Sequence, residues 1–314
     1  METVVLIVVA GLFAVVSGIN DGGALLATGL KLPVIRPATG ILALVVLVAL
    51  IPLITHQVAL TFVTRLATFH DPGGKVAMTV AVVCALAVVF TLSARGRPTS
   101  LTLAVVGGLT GAGLGWGLPV SVGAVALVLA FGLAAPFAGA LLSWLLIRFL
   151  VRVADAPALA RWHWAGFLLQ TLAYGANDGQ KMLAVFMIAL GFQGAPLAYT
   201  SLVAVLFGVG ALYGLPKAGR TLSREIIVSR PAHGVAAELA AGSAVIACAA
   251  LGMPVSMTQA VAGGLVGAGV AQGGGRVRWY AAVKIVVAWL LTLPMSALLA
   301  AVVAFVLKGL RGTW

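Results

Sequence analysis

Apolar positions follow one another in long runs along this chain, separated by short connections that hold most of the charge. Runs such as Ile41 to Thr55, Val76 to Leu92, Val122 to Ile147 and Ile285 to Leu307 meet or approach the roughly 20 residues that a helix needs to cross a bilayer. The stretches without such a run, around Arg148 to Arg161 and Lys217 to Arg230, are too short to hold a core of their own. The pattern predicts one all-α, polytopic membrane domain over residues 1–314.

Composition agrees. Of the 314 residues, 62% are hydrophobic and 8% charged, and the mean hydropathy is +1.17, which excludes an ordinary soluble domain. A net charge of +12 would suggest nucleic acid in a soluble protein. Here Lys31, Arg36, Arg95, Arg97, Arg148, Arg152, Arg161, Lys217, Arg220, Arg224 and Arg230 sit between apolar runs and mark cytoplasmic ends, so no nucleic-acid partner is expected. The uncharged Gly191 to Pro196 connection and the lysine-free Met1 to Ser17 belong outside. Met1-Glu2-Thr3 lacks a basic leader, which predicts a retained first span in a multi-pass protein of the cell membrane.

The chain also repeats itself. Gly18-Ile19-Asn20-Asp21-Gly22 returns as Gly175-Ala176-Asn177-Asp178-Gly179. Pro98-Thr99-Ser100-Leu101-Thr102 returns as Pro254-Val255-Ser256-Met257-Thr258, and both tracts continue into Gly-Gly-Leu-x-Gly-Ala-Gly. Phe131 and Pro136 likewise anticipate Trp289 and Pro294. These pairs define two homologous repeats, about 1–155 and 160–314. The charge asymmetry points to inverted orientations, a common plan in secondary transporters with a midplane site between the repeats. The count of full crossings stays open, because the glycine tracts can enter and return as re-entrant hairpins.

Candidate chemistry concentrates in these motifs. A carboxylate inside a bilayer costs about 2.5–3.5 kcal/mol on insertion scales, so Asp21 and Asp178 are expected to be paired or functional. Glycines around them would let the helix break and turn carbonyls toward a cation. Asn20, Asn177, Asp21 and Asp178 supply hard oxygen ligands for sodium or, at the carboxylates, a transferable proton. The plainer reading is an interhelical glue of Asn–Asp hydrogen bonds. The proline-led tracts read as helix starts, with Pro98 and Pro254 at the first helical position. The N–H groups of Thr99, Ser100 and Leu101 and of Val255, Ser256 and Met257, with the hydroxyls of Ser100, Thr102, Ser256 and Thr258, would then face an anion. Lys181, one turn after Asp178, either neutralises that carboxylate or holds the anion. Glu238 is a second intramembrane carboxylate that could bind the coupling cation.

The remaining features are plainer. Trp116, Trp144, Trp162, Trp164, Trp279 and Trp314 fall near segment ends, as interface anchors do. Cys84 and Cys248 are packing residues, and His56, His70, His163 and His233 lack metal-ligand spacing. With no catalytic set and no Walker loop, neither an enzyme nor a bound cofactor is expected beyond the coupling ion.

These motifs resemble the inorganic phosphate transporter (PiT) family of sodium- or proton-coupled phosphate symporters. The resemblance rests on Gly18 to Asp21, Gly175 to Lys181, Pro254 to Thr258, and Lys284 to Pro294 with Trp289 and Thr292, and it covers most of the chain. It implies an anion site at Thr99, Ser100, Thr102, Val255, Ser256 and Thr258 with Asn20, Asn177 and Lys181. It implies a cation site, sodium-binding if the carrier is sodium-coupled, at Asp21 and Asp178. It also implies a homodimer or larger assembly. The chain departs from the family pattern at Ala24, Leu101, Leu103, Tyr174, Met257 and Gln259, where asparagine, threonine, histidine, histidine, threonine and histidine are usual. Those losses leave sulfate as an alternative substrate, and a non-transporting scaffold or sensor as an alternative of another class.

Overall fold

A computed structural model describes residues 2–22, 25, 32, 34–66, 69, 73–94, 99–191, 194–220, 226–227 and 230–311, with the side chains of 94, 216–220 and 311 outside that description. The described residues are helical almost throughout, and their nearest approach to a sheet is an isolated bridge between Ile227 and Val277. The helices are α1 (Glu2–Ser17), α2 (Pro37–Ile54), α3 (Gly74–Ala94), α4 (Leu101–Trp116), α5 (Val122–Val153), α6 (Ala156–Tyr174), α7 (Gln180–Leu190), α8 (Leu197–Arg220), α9 (Pro231–Ala250), α10 (Met257–Ala271) and α11 (Trp279–Arg311). Seven helical stretches among them are long and apolar enough to span a membrane. The protein is a multi-pass α-helical membrane protein.

The basic connections are shorter than the charge pattern suggests. Arg148 and Arg152 belong to α5, and only Ala154 and Asp155 separate α5 from α6. Asp155 is the N-cap of α6, accepting the N–H of Ala158 at 2.8 Å.

α4 and α10 have 16 and 15 residues, so they rise only ~24 and ~22 Å, short of a ~30 Å hydrocarbon core. Each is followed by a long proline-containing helix, α5 or α11. The short helices do not pack mainly on their own followers. α4 lies along α11 and α10 lies along α5, and these are the two most extensive helix contacts in the molecule. The sequence explains the closeness. A Cβ on Gly107, Gly111 or Gly115 would overlap the carbonyl oxygens of Leu293, Ala297 or Ala301, and one on Gly263 or Gly267 those of Pro136 or Ala140. Only glycine permits backbones to touch in this way, as in small-residue helix seams within membranes.

Other contacts also occur in matched pairs. α3 packs on α4 as α9 packs on α10, and the turn after α1 packs on α8 as the turn after α6 packs on α2. Leu133, Phe137, Leu141, Leu290, Leu298 and Phe305 face outward, toward lipid. Asp21, Asn177, Asp178, Lys181 and Glu238 are buried within the helices, where polar groups need partners inside the protein.

Candidate functional site

Both Asn-Asp motifs form π-helical turns, Gly18–Gly22 after α1 and Gly175–Gly179 between α6 and α7. Both turns stay helical but widen by a residue, and the second runs on into α7, which corrects the expectation that glycine unwinds them. The glycines serve close approach. A Cβ on Gly18 would overlap the Phe207 carbonyl oxygen of α8, and one on Gly175 would sit 2.6 Å from the Leu47 carbonyl oxygen of α2. Widened turns of this kind point consecutive side chains inward, and Asp21, Asn177 and Asp178 are buried.

The helix starts of α4 and α10 meet these turns. Asn177 pairs with the backbone of Val255 in both directions, donating to its oxygen at 2.8 Å and accepting its N–H at 3.1 Å. Asn20 donates to the equivalent carbonyl, that of Thr99, at 3.5 Å. Each Asn also donates to the neighbouring carboxylate, Asn20 to Asp21 at 3.1 Å and Asn177 to Asp178 at 3.2 Å. The helices themselves begin at Leu101 and Met257, with Ser100 and Ser256 as N-caps. Pro254 therefore lies upstream of the first helical position, and Pro98 falls outside the described residues. Nor is every expected donor free for an anion: the Val255 N–H is taken by Asn177, and Ser100 Oγ accepts the Leu103 N–H at 3.3 Å.

Lys181 ties the halves together. Its ammonium lies 2.7 Å from Asp178 Oδ1 and donates to Thr102 Oγ1 at 2.8 Å and to the Val255 oxygen at 3.0 Å. Thr102 donates to the same Val255 oxygen at 3.1 Å. Ser256 and Thr258 hydroxyls pair at 2.9 Å. Asp21 lies within the electrostatic reach of Asp178 and Lys181. A cavity of about 10 Å³ lies among Ser17, Leu101, Thr102, Asp178 and Lys181, room for about one water. Thr99, Ser100, Thr102, Val255, Ser256, Thr258, Asn20, Asn177, Asp21, Asp178 and Lys181 thus converge from four segments.

Glu238 does not join them. Its carboxylate contacts His163 Nδ1 at 2.7 Å, and His163 lies 14 residues, ~21 Å of helix, before Asn177. The cation role expected for Glu238 at this cluster is withdrawn on that geometry. Leu103 and Gln259 also turn away, lining an apolar cleft of about 610 Å³ between α5, α10 and α11. Their departure from the family's histidines therefore leaves the cluster's donors untouched. Leu101 does face the small cavity, Met257 is buried, and Ala24 falls outside the described residues. Two contributors escaped the sequence reading. Tyr174, seen there only as a departure, donates its hydroxyl to the Asp21 carbonyl at 2.6 Å. Gln180 accepts the N–H groups of Val58 and Ala59 at 2.8 and 3.3 Å, and its place directly after a repeated motif was the available signal.

The profile of the Phosphate transporter family matches residues 161–300. A probable low-affinity inorganic phosphate transporter of Rhizobium meliloti is 31% identical, over 67% of this chain and 68% of that protein. The chain belongs to the phosphate transporter family. A relative described in the same words from Mycobacterium tuberculosis strain H37Rv is 34% identical over 66% of this chain, and the match spans 54% of its length. The chain thus spans about half the length of such mycobacterial family members. The Bacillus subtilis relative aligns over 98% of this chain and 97% of its own length at 24% identity. Among solved structures, the sodium-dependent phosphate transporter superposes with a TM-score of 0.83 over 98% of this chain and 99% of that one, at 18% identity. That likeness establishes the family's fold for this chain.

Proposed function

We propose that the protein is a secondary transporter that carries inorganic phosphate across the plasma membrane together with sodium or protons, on a frame of two inverted repeats. The observation that carries this reading is the position of Lys181, held by Asp178, Thr102 and Val255 where the two halves meet. A cavity of about 10 Å³ cannot admit an oxyanion while the ammonium keeps these bonds. A cation arriving at Asp178 and Asp21 takes over the neutralisation of the carboxylates and frees Lys181 for the anion. Neither ion then crosses alone, because a buried uncompensated charge costs several kcal/mol.

The hydroxyls of Thr102, Ser256 and Thr258 and the first N–H groups of α4 and α10 supply further anion donors. Asn20 and Asn177 hold the helix starts against the turns and offer amide oxygens to sodium. Phosphate is favoured over sulfate by Asp21, which has no lysine ion pair among the described residues. A carboxylate there accepts a hydrogen bond from the hydroxyl of a partly protonated phosphate, and sulfate has no such donor. Sodium is favoured as the coupling ion by the fold shared with a sodium-dependent relative.

Radiolabelled phosphate uptake into proteoliposomes tests this, with inward sodium or proton gradients and excess sulfate. Gradient-driven, sulfate-resistant uptake is expected, together with its loss in Asp21→Asn and Asp178→Asn variants that still fold. Unchanged uptake in both variants sinks the proposal. Silence toward phosphate with loss of folding in the variants would favour a scaffold.

A further inference from the structure

The second half carries buried polar residues that the cluster does not use. His163, Gln170 and Asn177 are spaced by seven, so each lies two turns, ~10 Å, from the next and within ~20° of the same face. All three are buried. His163 meets Glu238 of α9 at 2.7 Å, and α9 is the main packing partner of α6. Gln170 is fully buried, and neither its Nε2 nor its Oε1 has a partner among the described residues. Such a group is rarely left unpaired, and water is the usual partner where protein is not.

The glycines show that this is a fitted arrangement. A Cβ on Gly166 would come 2.9 Å from Glu238 Cβ and 3.1 Å from its Oε2. A Cβ on Gly242 would come 3.0 Å from the Gln170 nitrogen. The first half supplies a control inside the same molecule. Its equivalents of His163 and Gln170 are Leu6 and Phe13, and that of Glu238 is Ala81 or Val82, all buried. The fold is therefore built without polar groups at these places, and their presence in the second half calls for another explanation than packing.

We propose that the seam between α6 and α9 is a hydrated proton-binding site, with the proton held by His163 and Glu238 and water ordered by Gln170 toward the Asn177–Asp178 turn. The 2.7 Å contact needs one hydrogen between Nδ1 and Oε2. In the state with one shared hydrogen the pair is a neutral imidazole beside a carboxylate, with net charge of minus one. A second proton taken from water makes it neutral, and its release restores the anion. Within the membrane this alternation is the chemistry of proton relays. Arg161 on α6, Arg230 at the start of α9, and Arg148 and Arg152 on α5 are exposed, Asp155 is an exposed cap, and α2 and α10 carry no charge. His233 of α9 is engaged with the Arg230 N–H and Gln272. Any influence of the seam on uptake rests on the transport reading above, while proton binding and hydration do not.

The test has two arms on purified full-length protein, neither needing transport. Potentiometric titration compares the wild type with a His163→Leu, Gln170→Phe, Glu238→Ala variant, which carries the first half's own residues. The wild type is expected to take up about one more proton between about pH 9 and 5. Equal uptake overturns the proposal. In a background with Cys84→Ala and Cys248→Ala, a water-soluble thiol reagent is expected to modify Gln170→Cys at least about tenfold faster than Phe13→Cys. Equal rates overturn the hydration. If phosphate uptake fails but both arms hold, the seam stands and the transport reading falls.

Discussion

The two Asn-Asp turns share a backbone plan and differ in how tightly they are tied. In the second half Asn177 grips Val255 through both N–H and carbonyl, and Lys181 adds an ion pair to Asp178. In the first half Asn20 reaches Thr99 through one contact of 3.5 Å, and Asp21 is met by Asn20 at 3.1 Å. The position equivalent to Lys181 is Ala24. A duplicated motif therefore need not do duplicated work. The second turn is the anchored side of the cluster, and on the proposed transport reading the first keeps a carboxylate for incoming ions.

The largest effects should come where the halves agree. Gly111→Leu and Gly267→Leu each push a side chain into a backbone carbonyl, of Ala297 or Ala140, on the helix from the other half. Overpacking costs about 1–3 kcal/mol where side chains can yield, and more against backbone. Both variants should lose monodisperse protein in size-exclusion chromatography. A collapse of only one would show that the exchanged seams are not equivalent.

A smaller effect separates the turns. Asn177→Ala strips the buried Val255 N–H of its acceptor, a loss worth about 1–3 kcal/mol. The Val255 oxygen keeps Lys181 and Thr102. Each substitution loses the bond to its neighbouring carboxylate; beyond that, Asn20→Ala removes only a contact at the limit of hydrogen-bond length, worth under about 1 kcal/mol. Thermal unfolding in detergent should therefore place Asn177→Ala well below Asn20→Ala. Equal losses would remove the asymmetry on which the anchored-side argument rests.

Much of this was legible in the sequence, because motifs repeated at a fixed separation are evidence that hydropathy alone does not give. The helical membrane fold, the two motif pairs and their convergence could be read from residues. What escaped depends on direction and register. Glycine beside Asn and Asp suggests a break, but Gly18 and Gly175 serve close contacts with α8 and α2 that no local pattern encodes. Proline suggested a helix start, whereas the serine N-caps set it three residues later. His163 was marked only by its lack of metal-ligand spacing until α9 brought Glu238 to it. Its spacing from Gln170 and Asn177 was visible, and comparison with Leu6 and Phe13 would have singled it out. Gln259 could not be placed by type, since its exclusion from the cluster depends on which way α10 turns.

The smallest predicted effect asks how far the asymmetry extends beyond the motifs. Tyr174 and Ser17 are equivalent positions, each just before its turn. Tyr174 crosses between halves, donating to the Asp21 carbonyl at 2.6 Å. Ser17 bonds back to Phe13 of its own helix at 2.7 Å, a local bond with little effect on helix stability. Tyr174→Phe keeps the ring and removes one hydrogen bond, so it should cost about 1 kcal/mol and weaken the dependence of uptake on the coupling cation by loosening Asp21. Ser17→Ala should leave both measurements close to wild type. If Ser17→Ala impaired cation dependence as much as Tyr174→Phe, the hydroxyl beside each turn would matter for local solvation and not for tying the halves, and the tyrosine would lose its role as the strut under Asp21.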